Sequence, residues 1–151
     1  MAKRIITKIG NIFCVEVDGM YKCFFQYVAN DIYQLNSSVI RVFSRHYDMD
    51  YVPNMDEIVN DKVSFYSHTV LRAGIYYGAW YKVGTHKDVG DLNEIAFRMH
   101  EEYDIAERTK SYRWYMWKLD GTKKFIGEMT DEYRHLDVGF VYAYTNVVHR
   151  I

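Results

Sequence analysis

The sequence predicts a mainly β (α+β) domain: a strongly twisted, partly closed antiparallel sheet, open to closing as a barrel, with one or two short helices. Three observations predict it. Aromatic residues make up 17% of the 151 residues, Tyr alone occurring 15 times, and such side chains favour pleated, half-buried surfaces. Asp-Gly occurs twice between strand-like runs, at Asp18-Gly19 and Asp120-Gly121. That dipeptide is a strong hairpin signal, because a type I′ turn needs positive φ at both central residues. One proline and nine glycines leave no flexible linker, so residues 1–151 read as a single domain, long enough to bury one core.

Residues 1–9 form a lead-in or first strand. Ile12 to Val17 and Met20 to Val28 then form a hairpin around Asp18-Gly19. A two-residue turn pairs Val17 with Met20, Val15 with Lys22, Phe13 with Phe24 and Cys14 with Cys23. In that register the cysteines stand close enough for a disulfide, but a reducing compartment favours two free thiols packed together. A polar turn at Ala29-Asn30-Asp31 leads into a third strand, Ser38 to Phe43. Asp48 to Asp61 is a connection with one helical turn, capped by Asn54, with Asp56 and Glu57 at the positive end of its dipole. From Val63 strand composition returns, VSFYSHTVLR then IYYGAWYKVG, with Gly74, Gly78 and Gly84 as turn or bulge points.

Residues 92–108 stay open between two readings. Leu92, Ile95, Ala96, Met99, Tyr103 and Ala106 keep helical spacing behind a capping-box-like Asp91 and Glu94. A short strand over Glu94 to Arg98 followed by an acidic loop is the alternative. Tyr112 to Leu119 alternates with apolar residues on both faces, which implies cover on both sides. Around Asp120-Gly121 it pairs Met116 with Phe125, Tyr115 with Ile126 and Lys118 with Lys123. A last strand, Val138 to Tyr144, closes the sheet.

Nineteen Lys and Arg against 20 Asp and Glu give a net charge of −1, without the basic excess of a nucleic-acid binder. The apolar runs fall short of a membrane span, and the basic opening lacks an apolar h-region, so a cytoplasmic location is expected. The six histidines (46, 68, 86, 100, 135 and 149) show no HxxxH or HxH spacing, so neither a metal nor another cofactor is expected. There is no phosphate-binding glycine pattern and no Gly-x-Ser-x-Gly elbow. Glu101-Glu102 and Asp131-Glu132 are neighbours that do not converge as an acid–base pair. No enzyme signature survives.

The remaining candidates are surfaces. Interleaved aromatic and basic residues from Tyr112 to Lys118, and again at Lys123-Lys124-Phe125, could stack single-stranded nucleic acid or a small ligand. The neutral net charge favours their being core. Arg72, Tyr76, Tyr77 and Trp80 are candidates for a protein interface, where Trp, Tyr and Arg carry most of the energy. Asp48 and Asp50, in an acidic segment with Asp56, Glu57 and Asp61, could meet a basic partner.

The opening GNIFCVEVDGMYKCFFQYVAND resembles that of bacterial immunity proteins of the immunity protein 26 kind, associated with polymorphic toxin systems. The residues concerned are Gly10, Asn11, Ile12 and Phe13, then Phe24, Phe25, Gln26 and Tyr27. QLNSSVIRVF, VSFYSHTV, GAWYKVG, NEIAFR and WYMWKL extend the resemblance over most of the chain. It implies a non-catalytic cytoplasmic protein whose partner is a cognate toxin, bound and neutralised by contact. A small-ligand or single-stranded nucleic-acid-binding module is the alternative.

Overall fold

The computed structural model describes residues 4–100 and 113–151. Strands β1 (Asn11–Val17), β2 (Tyr21–Asp31) and β3 (Ser37–Phe43) form an antiparallel meander. A two-residue β4 (Tyr47–Asp48) and helix α1 (Met55–Val59) precede β5 (Val63–Thr69), helix α2 (Leu71–Tyr76) and β6 (Tyr81–Thr85). A 3-10 turn at Leu92–Glu94 leads to β7 (Ala96–His100). Then come β8 (Trp114–Lys118), β9 (Lys123–Gly127), α3 (Asp131–Arg134), β10 (Asp137–Val138), β11 (Val141–Tyr142) and α4 (Tyr144–Arg150). The large sheet runs β11-β5-β3-β2-β1-β6, with β4 on β2; the small one runs β10-β7-β8-β9. Among the described residues, only β11 on β5 and β10 on β7 are parallel. The mainly β class holds, and the large sheet stays open, with β6 and β11 as its edges.

Asp18 and Gly19 adopt φ of 53° and 66°, and Met20 N–H donates to the Val17 carbonyl at 2.9 Å, as the dipeptide predicts. The register nevertheless differs by one residue. Met20 stays in solvent outside the ladder, and Val17 pairs with Tyr21, Val15 with Cys23, Cys14 with Phe24 and Phe13 with Phe25. A one-residue slip moves every β2 side chain to the other face. The observed register stacks Phe13 on Phe25, their ring centroids 5.2 Å apart. Each such fully buried ring contributes about 1.5–3 kcal/mol. The cysteines, both free and buried, therefore lie on opposite faces instead of together. The β8–β9 hairpin slips likewise: Lys123 lies opposite Trp117, not Lys118, and Tyr115 opposite Phe125.

Three clusters result among the described residues. On one face Phe13, Val15, Phe25, Tyr27, Ile40, Val42 and Phe65 pack under Leu71, Trp80 and Val147, so α2 and α4 cover this side. On the other face Ile12, Cys14, Phe24 and Phe43 pack under Tyr47, Ile58 and Val59. Further along that face Val28, Ala29 and Val39 meet Ile95, Phe97 and Trp117 of the small sheet. Gln26 and its cross-strand neighbour Arg41, both buried, part these two clusters. Arg41 Nε donates to Gln26 Oε1 at 2.9 Å and its Nη2 to the Asp88 carbonyl; Gln26 Nε2 donates to the His86 carbonyl at 3.0 Å. Those bonds tie the loop at 86–90 across the sheet.

Several sequence expectations change. The turn expected at Ala29–Asp31 lies at 32–36, because β2 continues to Asp31 past a bulge near Val28. Residues 71–76 form a helix instead of strand. Its Leu71 and Ile75 face the core one turn apart, and Gly74 admits the Trp80 ring, which an added Cβ would overlap. Gly78 at φ +74° ends it. The described part of 92–108 is a 3-10 turn and a strand; residues 101–108, like Tyr112 and the Glu101-Glu102 pair, lie outside the described residues. The expected strand at Val138–Tyr144 is broken up: Val138 ends β10 in the small sheet, Val141–Tyr142 form β11 in the large one, and α4 begins at Tyr144. In that helix Tyr144, Val147, Val148 and Ile151 keep helical spacing toward the core. Asn54 caps α1 as expected, its Oδ1 accepting from Glu57 N–H at 3.1 Å.

Candidate interaction surface

The β2–β3 turn is the best-supported feature of the surface. It begins at Asp31, whose side chain is completely buried. Asp31 Oδ2 lies 2.8 Å from His68 Nε2 and 2.7 Å from Trp117 Nε1, while Oδ1 accepts from Tyr33 N–H at 3.0 Å. A carboxylate only accepts, so the His68 hydrogen sits on Nε2. Its buried Nδ1 has no partner among the described residues. Burial pushes the His68 imidazole below its ordinary value, outweighing the bond to Asp31 that pulls it up. One carboxylate thus joins β2, β5 and β8, and holds the first residues of the turn.

Beyond it Gln34 N–H donates to the Asp31 carbonyl at 3.0 Å and Ser37 N–H to the Gln34 carbonyl at 3.1 Å. Gln34 Nε2 also bonds the Gly139 carbonyl. The two central residues of the second turn, Leu35 and Asn36, have φ of 58° and 52°. Type I′ geometry suits Asn-Gly. Here the first position is Leu35, 85% exposed. In the left-handed region its Cβ crowds the backbone, at a cost of about 1–2 kcal/mol, and its side chain buries almost nothing in return. Ile32, at 72%, and Tyr33 stand exposed beside it. An apolar ridge with a strained leucine at its tip, on a turn locked by these six hydrogen bonds, is not explained by folding.

A groove of about 320 Å³ runs from this ridge to α2, bordered by Leu35, Ser37, Val70 and Arg72. Val70, at 54% exposure, adds apolar surface. Arg72 thereby joins Leu35 across one groove, and Tyr76, four residues on, is exposed on the same helix. Tyr77 is exposed too, stacked on Tyr144 at 5.2 Å. Trp80, by contrast, is 1% exposed, its Nε1 donating to the Leu71 carbonyl; it positions α2 and cannot reach a partner. Asp48 and Asp50 are exposed but stand apart from this groove. Asp48 pairs with Tyr21 at the start of β2, nine residues or about 30 Å along the strand from Asn30, beside the segment covering the opposite face.

Among the described residues no group of three or more His, Cys, Asp or Glu could hold a metal ion, and no helix is long and apolar enough to cross a membrane. Burial raises both thiols, Cys23 to about 11, which leaves them poor nucleophiles. The sequence does not reveal this turn: Ala29-Asn30-Asp31 reads as the turn but belongs to β2, and nothing local marks Leu35 as exposed.

The structure thus defines a β-rich scaffold that carries an exposed apolar ridge beside a groove. Residues 8–110 match the family described as Immunity protein 26, and the chain belongs to that family. No curated protein and no solved structure matches the chain.

Proposed function

We propose that this chain is an immunity protein that binds a cognate toxin in the bacterial cytoplasm and neutralises it by direct contact. The centre of the contact is the β2–β3 ridge, with Arg72, Tyr76 and Tyr77 of the α2 side at its margin. The observation that carries this reading is Leu35, held exposed at positive φ in a chain of the immunity family. A partner that buries this side chain would supply the favourable term that the free fold lacks. The Asp31 node keeps the ridge preformed, so little ordering cost arises on binding. Occlusion needs no reaction on this side of the interface, and we assign none.

The test is calorimetry of the purified chain with the product of the adjacent reading frame, paired with co-expression in cells that the product kills. Tight one-to-one binding and rescue are expected, both lost in Leu35→Asp. No binding, or full rescue by Leu35→Asp, refutes the reading.

A further inference from the structure

The β2–β3 turn has a second side. Across a cleft of about 260 Å³, Tyr33 and Gln34 face Tyr115, Trp117, Gly121 and Lys123 of the β8–β9 hairpin. Trp117 offers its ring alone, because its Nε1–H is engaged by Asp31. Lys123 holds its ammonium 4.3 Å from the centre of the Tyr115 ring and has no carboxylate partner among the described residues. Turn and hairpin approach closely: a Cβ on Gly121, at φ +96°, would stand 2.5 Å from Tyr33 Oη. Tyr33 and Gln34 lie within the span matched to the family, residues 8–110; the other four residues lie beyond it. Four of the six lining residues are therefore built outside that match.

We propose that this cleft takes an aromatic side chain of the toxin with a carboxylate beside it, the ring between Tyr33 and Tyr115 and the carboxylate on Lys123. The inference rests on the reading that the turn docks a toxin. The size fits, since a cavity of roughly 150 Å³ accepts benzene, which leaves room for the polar end. Aromatic walls suit a ring, packed offset or edge-on. The charge sign follows from Lys123, which already lies over the negative face of Tyr115 and would repel a second cation.

Phenylacetate and benzylamine share the ring and differ in charge. Each is titrated into the full chain without toxin, followed by tryptophan fluorescence and by the amide NMR shifts of Tyr33 and Lys123. Saturable shifts with phenylacetate and none with benzylamine are expected, with affinity falling roughly tenfold or more in Lys123→Met. Gly121→Ala, which sets a methyl against Tyr33, is expected to abolish binding while the amide shifts of β1 and β6 stay in place. Equal response to the two probes, no saturable response, or undiminished affinity in Lys123→Met overturns the assignment. Because this titration contains no toxin, its failure leaves the docking surface itself standing. A chain that takes phenylacetate and binds no toxin instead overturns the toxin as the source of the occupant.

Discussion

Replacing the β2–β3 turn by the residues its geometry favours, with Leu35→Asn and Asn36→Gly together, separates folding from binding. Leu35 at φ 58° costs about 1–2 kcal/mol relative to a residue at ease in the left-handed region. At 85% exposure it returns little of that by burial. Asn and Gly at these positions satisfy type I′ geometry without the crowding. The double variant is therefore expected to be more stable by about 1–2 kcal/mol. That is a rise in Tm of roughly 2–8 °C for a domain of this size, read by thermal and urea unfolding followed by circular dichroism. Toxin affinity moves the other way. A leucine fully buried at an interface contributes about 1.5–3 kcal/mol, so calorimetry should show a loss of roughly tenfold to more than a hundredfold. A less stable variant would refute the strain argument, since Leu35 would then be supporting the fold. A more stable variant that binds as before would refute the placement of the interface.

Asp31→Ala removes the acceptor for His68 Nε2, Trp117 Nε1 and Tyr33 N–H. With two buried side-chain donors orphaned at about 1–3 kcal/mol each, a loss of about 2–6 kcal/mol is expected in urea unfolding. A loss under about 1 kcal/mol would show that water replaces the carboxylate. His68 gives a pH dependence. Its folded-state value lies below the ordinary 6.5, so the unfolded chain takes up the proton first as pH falls. The stability contributed by neutral His68 is thus complete above 6.5 and is lost as pH falls through the lower folded value. Urea midpoints measured from about pH 8 to about pH 5 should fall, and the fall should flatten in His68→Gln; an unchanged slope in the variant would clear His68 of the effect. Trp80→Ala is expected to cost about 3–5 kcal/mol as a core truncation, whereas Tyr76→Ala, at 74% exposure, should stay within about 0.5 kcal/mol. Comparable losses in the two variants would contradict the burial difference.

Much of the sheet was legible because its signals are local. Asp18-Gly19 named the first turn, and alternating aromatic and β-branched residues named β1, β2, β3 and β8. Register was not legible, because turn chemistry alone does not settle it. Both Asp-Gly hairpins slip by one residue, and the slip is decided by partners distant in sequence: Trp80 standing edge-on against Phe25 with centroids 5.0 Å apart, and Asp31 reaching Trp117. The same distance hid α2. LRAGIYYGAW has strand composition throughout, and its helix depends on Gly74 admitting the Trp80 ring. Helix α4 was legible in principle, since Tyr144, Val147, Val148 and Ile151 keep a helical stripe. Ending a strand at Tyr144 cut that stripe at its first member.

The site was less legible than the fold, for a related reason. Aromatic and arginine content pointed to the segment 72–80, and there Arg72, Tyr76 and Tyr77 are exposed. Composition could not tell these from Trp80, the most interface-like residue by type and one of the most buried by structure. Leu35 is the converse: by type a core residue, in the structure the tip of a turn. Residue type stands in poorly for exposure at both positions, because long-range packing decides it. What identifies Leu35 is a mismatch between residue and backbone, visible only once φ is known. A fold chosen for stability alone would place Asn or Gly there. The same test, an ill-suited residue held by well-satisfied neighbours, applies to the whole turn: Asp31, with three donors, is the support, and Leu35 is the strained residue it presents.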